Sequence, residues 1–476
     1  MKKVAIIGAG VAGLTCLKSL HETGVHATIF ERSDKVGGLW NYDSNDIDGG
    51  SPAYESLITN TSKQMMAFSD FRFGKTVSDF PTRADVLKYI QVYAKAFGLR
   101  EAIRFNTSVL KVEKLESGLF ELTLEKEGEE FTEEYDWVVV ANGRHESVHI
   151  PTIDGLEGFS GTYMHSRQYT TPQQFAGKKV VVVGAASSAL DIASEISDYC
   201  SETYLSVRTK SWLVPRYIGG KPYDLHLTRL SAALPKFIRE RGFKSKLLSA
   251  YKRYSKINLR QYYGRKRKRL NLEKNRFVPN DIFLDKLAIN NMDVVSEITS
   301  IEGDKVNFKN GRDVSADVII FATGYKISIP FLDQTLSGQN GNYLPLYKQI
   351  FSTKTDGLAM CGMCNIIGPI IPALEMQGRF VAAVITEHKK LPKTAKMKRE
   401  VERIYRKCKA KNINPMREQT LSYLDHLAKE LKVMPKLFKN KRLIWKLLTG
   451  PIVSSRYRLN GLTSKTTLAR NILDDL

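Results

Sequence analysis

Cysteine is scarce in this 476-residue chain: five residues, Cys16, Cys200, Cys361, Cys364 and Cys408, scattered without regular spacing. No disulfide framework is implied, and a reducing compartment such as the cytoplasm is the expected setting. Long apolar runs are missing as well. No uninterrupted stretch of about 18 apolar residues occurs, so no transmembrane helix is predicted. Acidic residues are outnumbered, 50 against 72 basic ones, and the net charge of +22 favours anionic partners: nucleotide phosphates, nucleic acid or an acidic membrane surface. Charge alone does not choose among them. The composition, 42% hydrophobic and 26% charged, is otherwise that of ordinary globular proteins, and the length suits two or three packed domains.

Met1-Lys2-Lys3 and the apolar residues up to Leu14 have the outline of a signal peptide, but glycines interrupt the run at a meaningful spacing. Val4-Ala5-Ile6-Ile7 reads as a buried parallel strand, Gly8-Ala9-Gly10-Val11-Ala12-Gly13 as a turn, and Leu14 to Glu22 as a helix. In this G-x-G-x-x-G pattern the first glycine permits the tight turn and the second lets backbone approach a pyrophosphate. The third lets helix and strand pack closely. The helix N-terminus then offers free N–H groups to the phosphates. Thr28-Ile29-Phe30-Glu31 is a second strand ending in an acid 23 residues after Gly8. A carboxylate there accepts hydrogen bonds from a ribose diol and repels a 2′-phosphate, which selects FAD or NAD over NADP. Gly37-Gly38-Leu39-Trp40 lets the chain run over the pyrophosphate and brings an indole near the cofactor, which tips the choice to FAD.

The strand-to-glycine transition recurs at Lys178-Lys179-Val180-Val181-Val182-Val183-Gly184. In the following Ala185-Ala186-Ser187-Ser188-Ala189-Leu190-Asp191, Ala186 and Ala189 stand where the second and third glycines would be. Small residues still allow close approach, and Ser187 or Ser188 can donate to a phosphate. Thr203 to Val207 forms the next strand, and Arg208 follows 24 residues after Gly184, with Lys210 behind it. A guanidinium at this place suits a 2′-phosphate. The pair of sites reads as FAD first and NADPH second.

The expected fold is α/β: two Rossmann-like dinucleotide-binding domains, with the NADPH domain inserted into a discontinuous FAD domain, plus a basic helical insertion. The expected boundaries are 1–170 and 311–440 for the FAD domain, 171–310 for the NADPH domain with the insertion over about 216–276, and 441–476 for a C-terminal extension. Trp137 to Gly143 and Val318 to Tyr325, each a buried strand entering a small-residue turn, mark crossings between the domains. Glu121 to Glu134, charged and alternating, predicts exposed antiparallel strands.

Phe159-Ser160-Gly161-Thr162-Tyr163-Met164-His165-Ser166-Arg167-Gln168-Tyr169 fills every defining position of F-x-G-x-x-x-H-x-x-x-Y/F. It resembles the identifying sequence of the flavin-containing monooxygenases. Leu57 to Lys63, Phe321 to Tyr325, Gly450-Pro451, Tyr457-Arg458-Leu459 and Ala469-Arg470-Asn471 are similar to segments of the same family, the last three to its animal members. The resemblance implies a cycle in which NADPH reduces FAD, O2 adds at flavin C4a, and the hydroperoxide oxygenates a small soft nitrogen or sulfur nucleophile. It places Asn60, flanked by Thr59 and Thr61, at the flavin–nicotinamide junction as the principal catalytic candidate. His165 and Tyr169 fall in an interdomain segment that organises the site. Two alternatives stand beside this reading. A Baeyer–Villiger monooxygenase has a related fingerprint ending in tryptophan, where this chain has Tyr169. An NADPH oxidase would release hydrogen peroxide. The chain stops at Leu476 without the hydrophobic tail of many animal members, which leaves membrane anchoring in question. Substrate and oligomeric state are not legible, and a homo-oligomer is one reading.

Lys236 to Arg276 holds sixteen Lys or Arg residues, including the run Arg265-Lys266-Arg267-Lys268-Arg269. Leu247, Leu248, Tyr251 and Tyr254 recur at helical spacing among Lys244, Lys246, Lys252 and Arg253. This predicts a basic amphipathic helix, suited to peripheral contact with acidic lipid on the cytoplasmic face of a membrane, the endoplasmic reticulum in a eukaryote. Nucleic acid is not expected, because no reading motif accompanies the charge. Cys361-Gly-Met-Cys364 has dithiol spacing, but the preceding Leu358-Ala359-Met360 reads as a buried strand in which cysteines serve as small apolar residues. No metal site is expected.

Overall fold

In the computed structural model the structure describes residues 2–43, 51–251, 262, 276–289, 291–436 and 443–475. In chain order, the strands of its two large sheets are β1 (Val4–Ile7), β2 (Ala27–Phe30), β3 (Ile103–Arg104), β4 (Trp137–Val140), β5 (Thr162–His165) and β6 (Lys179–Val183). They continue with β7 (Glu202–Ser206), β8 (Asp293–Val295), β9 (Val318–Phe321), β10 (Leu346–Tyr347), β11 (Phe351–Ser352) and β12 (Leu358–Met360). The helices that matter for the site are α1 (Val11–His21), α2 (Ser187–Ile196), α3 (Arg229–Ala233), α4 (Lys236–Ala250), α5 (Ile371–Ile385) and α6 (Ile444–Thr449).

The first sheet has the order β10-β11-β12-β4-β1-β2-β3, and the second β8-β7-β6-β9-β5. Val4–Ile7 and Val318–Phe321 are apolar throughout because parallel strands are covered on both faces, and every residue in both is buried. Parallel pairing of β1 with β2 and β4, and of β6 with β7 and β9, puts the glycine turns at the C-terminal ends of the central strands. That is where open α/β sheets bind ligands. The second sheet draws in β5 and β9, so residues 162–165 and 318–321 pack with the NADPH-side strands. The charged segment of 121–134 forms antiparallel strands, with Phe120, Leu122 and Leu124 turned inward and the glutamates outward.

Helix α5 is buried along its whole length and crosses α1 at Gly378. A β-carbon on Gly378 would lie 2.7 Å from the Thr15 carbonyl oxygen, so glycine is what lets the two backbones meet. The crossing carries a buried charge cluster. Arg458 binds Glu22 and Glu375 at 2.9 Å each, while Lys18 and Lys465 each reach Asp70 at 2.6 Å. Arg458 Nε also donates to Ser69 Oγ at 2.7 Å. Burial would raise Glu22 and Asp70, but Arg458 and then Lys18 outweigh it and hold both carboxyls down at about 2. Arg458 and Lys465 therefore tie residues 458–465 to α1, α5 and the segment around Asp70.

The basic insertion departs from the expected amphipathic surface helix. Leu247 and Tyr251 are buried in the core of the second domain, with the Tyr251 hydroxyl on the Leu213 carbonyl, so these apolar residues face protein. Tyr254 and the run Arg265 to Arg269 lie outside the described residues. No helix among the described residues is long and apolar enough to cross a membrane.

Candidate active site

The first turn is shaped by three close approaches. Gly8 adopts φ +106°, and a β-carbon there would lie 2.8 Å from the Ala141 carbonyl oxygen. On Gly13 it would lie 1.9 Å from the Gly8 oxygen, and on Gly38 2.9 Å from Gly10 Cα. Gly10 differs: its β-carbon would meet nothing in the protein closer than Gly38 Cα at 3.6 Å. Folding thus demands glycine at 8, 13 and 38, whereas at 10 the demand comes from what approaches the turn. Helix α1 begins after Gly10 with no side-chain cap, which leaves the N–H groups of its first turn, Val11 and Ala12 among them, for an anion. Glu31 Oε2 accepts the Ala9 N–H at 2.6 Å, and Oε1 accepts from the Ser33 N–H and Oγ at 3.0 and 2.9 Å. The carboxylate thereby fixes the turn at the end of β2, beside the half-buried Leu39 and Trp40. This cradle fits the FAD pyrophosphate and ribose.

The second turn repeats the construction with alanine. Gly184 has φ +149°, and a β-carbon on it would come within 2.6 Å of the Ala322 carbonyl oxygen and 3.0 Å of Ala189 Cβ. Ala189 and Leu190 are fully buried under the turn. Helix α2 starts after Ala186, again without a side-chain cap, so the Ser187 and Ser188 N–H groups stand at its open end. Arg208 and Lys210 are exposed just beyond β7. Asp191 is bonded within the protein. Its Oδ2 accepts from the Tyr54 hydroxyl at 2.9 Å and its Oδ1 from Asn280 Nδ2 at 2.7 Å.

Asn60 is bonded to the second turn. Its Nδ2 donates to Ser187 Oγ at 2.9 Å, while its buried Oδ1 has no partner. The loop that carries it is held from the other side by a segment that sequence reasoning missed. The Tyr223 hydroxyl donates to the Asn60 carbonyl at 2.9 Å, and Asp224 Oδ2 accepts the Ser62 N–H at 2.7 Å. Burial raises the Asp224 carboxyl above its ordinary value. Thr59 is buried, with its hydroxyl on the Thr61 carbonyl at 3.1 Å. A buried amide oxygen without a partner, beside a nucleotide turn, is chemically able to accept a hydrogen bond from a ligand.

His165 and Tyr169 carry structure. The His165 Nδ1 accepts the Arg167 N–H at 3.1 Å, so Nε2 bears the proton and donates to the Gly324 carbonyl at 3.0 Å. Both nitrogens are used, and burial pulls the ring below its ordinary range. Tyr169 is buried edge-on to Tyr54 and stacked with Phe175. Cys361 and Cys364 are fully buried thiols. Cys361 lies 3.4 Å from Cys16, and Cys364 accepts from Gln377 Nε2 at 3.4 Å. Burial pushes Cys364 up to about 12, which keeps it protonated and unreactive.

Two glycine-shaped turns, each opening into an uncapped helix, with Asn60 bonded to Ser187 of the second, are the build of an oxidoreductase that passes electrons from a pyridine nucleotide to a flavin. The chain belongs to the flavin-binding monooxygenase-like family, whose model matches residues 1–475. It is 34% identical to the flavin-containing monooxygenase 5 of Rattus norvegicus over 484 residues, covering 97% of this chain and 89% of that one. The identity is 35% to the flavin-containing monooxygenase 2 of Homo sapiens over 481 residues, with the same coverage. Among solved structures, the S-allyl-L-cysteine S-oxygenase of Allium sativum aligns with a TM-score of 0.71 at 24% identity, covering 100% of this chain and 99% of that one. An open cyclohexanone monooxygenase aligns with a TM-score of 0.65 at 17% identity over 93% and 98% of the two chains, which shows the shared fold. The protein is an NADPH-dependent flavin monooxygenase with FAD and NADPH as cofactors.

Proposed function

We propose that this enzyme oxygenates small soft nucleophiles at nitrogen or sulfur. The overall change is NADPH, H+, O2 and substrate to NADP+, water and the N- or S-oxygenated product. The bound flavin supplies the redox chemistry, and the protein supplies position and shielding. The observation that carries the reading is the Asn60 amide. It donates to Ser187 at the NADPH turn and keeps Oδ1 unpartnered. Such a group can accept a hydrogen bond without titrating, which suits a site where oxygen must be held without being protonated away. In this reading Gly8 to Gly13, Glu31, Gly38 to Trp40 and Thr59 to Thr61 hold FAD, while Gly184, Ser187 to Leu190, Arg208 and Lys210 hold NADPH. The domains divide as the two sheets do.

The test is a balance of products with a thioether or tertiary amine as probe. Product formed in step with NADPH consumed supports the reading. Stoichiometric hydrogen peroxide whatever probe is added moves the assignment to an oxidase, and lactones from ketones move it to a Baeyer–Villiger enzyme.

Peripheral contact with acidic lipid is part of the same proposal, on altered grounds. Phe237 and Trp445 are 69% and 73% exposed, on α4 and on α6, and Leu230 and Leu234 are exposed on and just after α3, which packs against α6. Basic residues Lys236, Arg239 and Arg241 lie on α4 with Phe237. Sedimentation with anionic vesicles at low salt, abolished by Phe237→Ser with Trp445→Ser, is the expected result. No sedimentation of the parent protein refutes it.

A further inference from the structure

Helix α2 presents one polar stripe. Ser187, Asp191 and Glu195 are four residues apart and share a face, while Ala189, Leu190, Ile192, Ala193 and Ile196 face the core. Every member of the stripe bonds to one short loop of the first domain. Ser187 Oγ accepts from Asn60 Nδ2 at 2.9 Å, Asp191 Oδ2 from Tyr54 at 2.9 Å and Glu195 Oε2 from Ser56 Oγ at 2.8 Å. The loop 54–60 thus runs along the helix whose N-terminus faces the NADPH turn. At its middle point Tyr54 is buried and Asp191 is half-buried. Asp191 is fixed in turn by Asn280, whose Oδ1 accepts the Phe283 N–H at 2.7 Å.

We propose that Tyr54 and Asp191 are positioning residues for oxygen transfer: their hydrogen bond pins loop 54–60 to α2 and so sets the Asn60 amide against Ser187. The inference rests on Asn60 as the oxygen-supporting group. Tyr54 bonds to Asp191, and Asp191 in turn to Asn280. Tyr54 and Asp191 act through the loop, so their loss should show in the partition of electrons rather than in their delivery. In the coupled reaction one NADPH and one O2 give one oxygenated product and one water. When Asn60 is misplaced, the same two electrons leave as hydrogen peroxide.

The groups facing Asp191 are Tyr54, Asn280, Arg216 and Glu195, with Tyr169 edge-on to Tyr54. Burial raises Asp191, opposed by the Tyr54 hydrogen bond, the Arg216 charge and the Asn280 hydrogen bond, and it comes to about 6. Protonation removes the charge that both donors address, which loosens the seam below that pH.

The test uses the FAD-loaded holoenzyme with a dialkyl thioether as probe. Tyr54→Phe removes one hydroxyl, and Asp191→Asn keeps the shape. Each is expected to raise peroxide per NADPH by about 10-fold, since a misplacement of about 1 Å costs up to about 100-fold. Flavin content, melting temperature and the rate of flavin reduction should stay near those of the parent. The double variant should be no worse than either single one, because the pair acts as a unit. Parent coupling should fall as pH drops through about 6, and Asp191→Asn should lose that dependence. Unchanged coupling in both single variants overturns the proposal. So does a loss of coupling that merely tracks lost flavin or a lowered melting temperature, or an Asp191→Asn profile identical to the parent's. Asn60→Ala is run in parallel: if its coupling is normal, the reading of the site has failed, whatever the seam variants do.

Discussion

Gly13 lies directly beneath the Gly8 carbonyl, so close that a β-carbon on it would be 1.9 Å from the oxygen, while one on Gly10 would meet only Gly38 Cα at 3.6 Å. Two glycines of one motif therefore answer to different demands. Gly13→Ala should destabilise the fold by about 3 kcal/mol, the upper end of what overpacking costs. Gly10→Val should leave a folded protein that purifies without flavin. Melting temperature and the flavin-to-protein absorbance ratio separate the two, and a flavin-replete Gly10→Val would show the first turn is misread.

Asn60→Ala removes the amide bonded to Ser187 of the second turn without disturbing the Tyr223 bond, which goes to the Asn60 backbone carbonyl. Flavin reduction by NADPH should stay within a few-fold of the parent, while oxygenated product falls by about 100-fold, the usual cost of one hydrogen bond aimed at a reacting oxygen. Stopped-flow reduction measured beside product yield checks both halves.

Arg208 stands exposed past the end of β7, where it offers a planar donor pair. Arg208→Ala should raise KM for NADPH by about 10- to 100-fold, matching the loss of charge-assisted hydrogen bonds worth about 1.5–3 kcal/mol. KM for NADH should hardly move. Equal weakening of both nucleotides would remove the 2′-phosphate assignment.

Arg458 is surrounded by Glu22, Asp70 and Glu375, and it is itself fully buried. Arg458→Ala should cost about 3–5 kcal/mol, because it leaves buried carboxylates without their partner. The parent carries a pH signature as well. Glu22 and Asp70 are depressed to about 2 when folded, so their stabilisation is complete above about pH 4.5 and drains away as pH falls toward 2. Thermal melts between pH 2 and 6 should show this loss in the parent and a shallower one in Arg458→Ala.

What was legible in the sequence was local. Val4 to Glu31 and Val180 to Arg208 declare strand, turn, helix and next strand within about thirty residues, the span of a single βαβ unit. Ala189 could be read as a stand-in for glycine because its size fits the turn. The seam was hidden because Tyr54 and Asp191 are 137 residues apart. Its one visible trace was the polar spacing of Ser187, Asp191 and Glu195 on an otherwise apolar helix. Tyr223 and Asp224 carried no signal, since an aromatic beside an acid has no distinctive pattern. Leu247 and Tyr251 misled for a physical reason: helical spacing marks a buried face without saying whether lipid or protein covers it.

The first sheet takes β1 to β4 from the beginning of the chain and β10 to β12 from beyond residue 345, and Arg458 closes the cluster under α1. During synthesis β1 must therefore wait for β10 to β12 and for Arg458. The second sheet, all of it between residues 162 and 321, has its strands available well before that point. Emergence from the ribosome reverses the order in which the two nucleotide folds are encoded. Flavin capture is then expected only after Arg458 has emerged, with the unfinished first domain sheltered until that point.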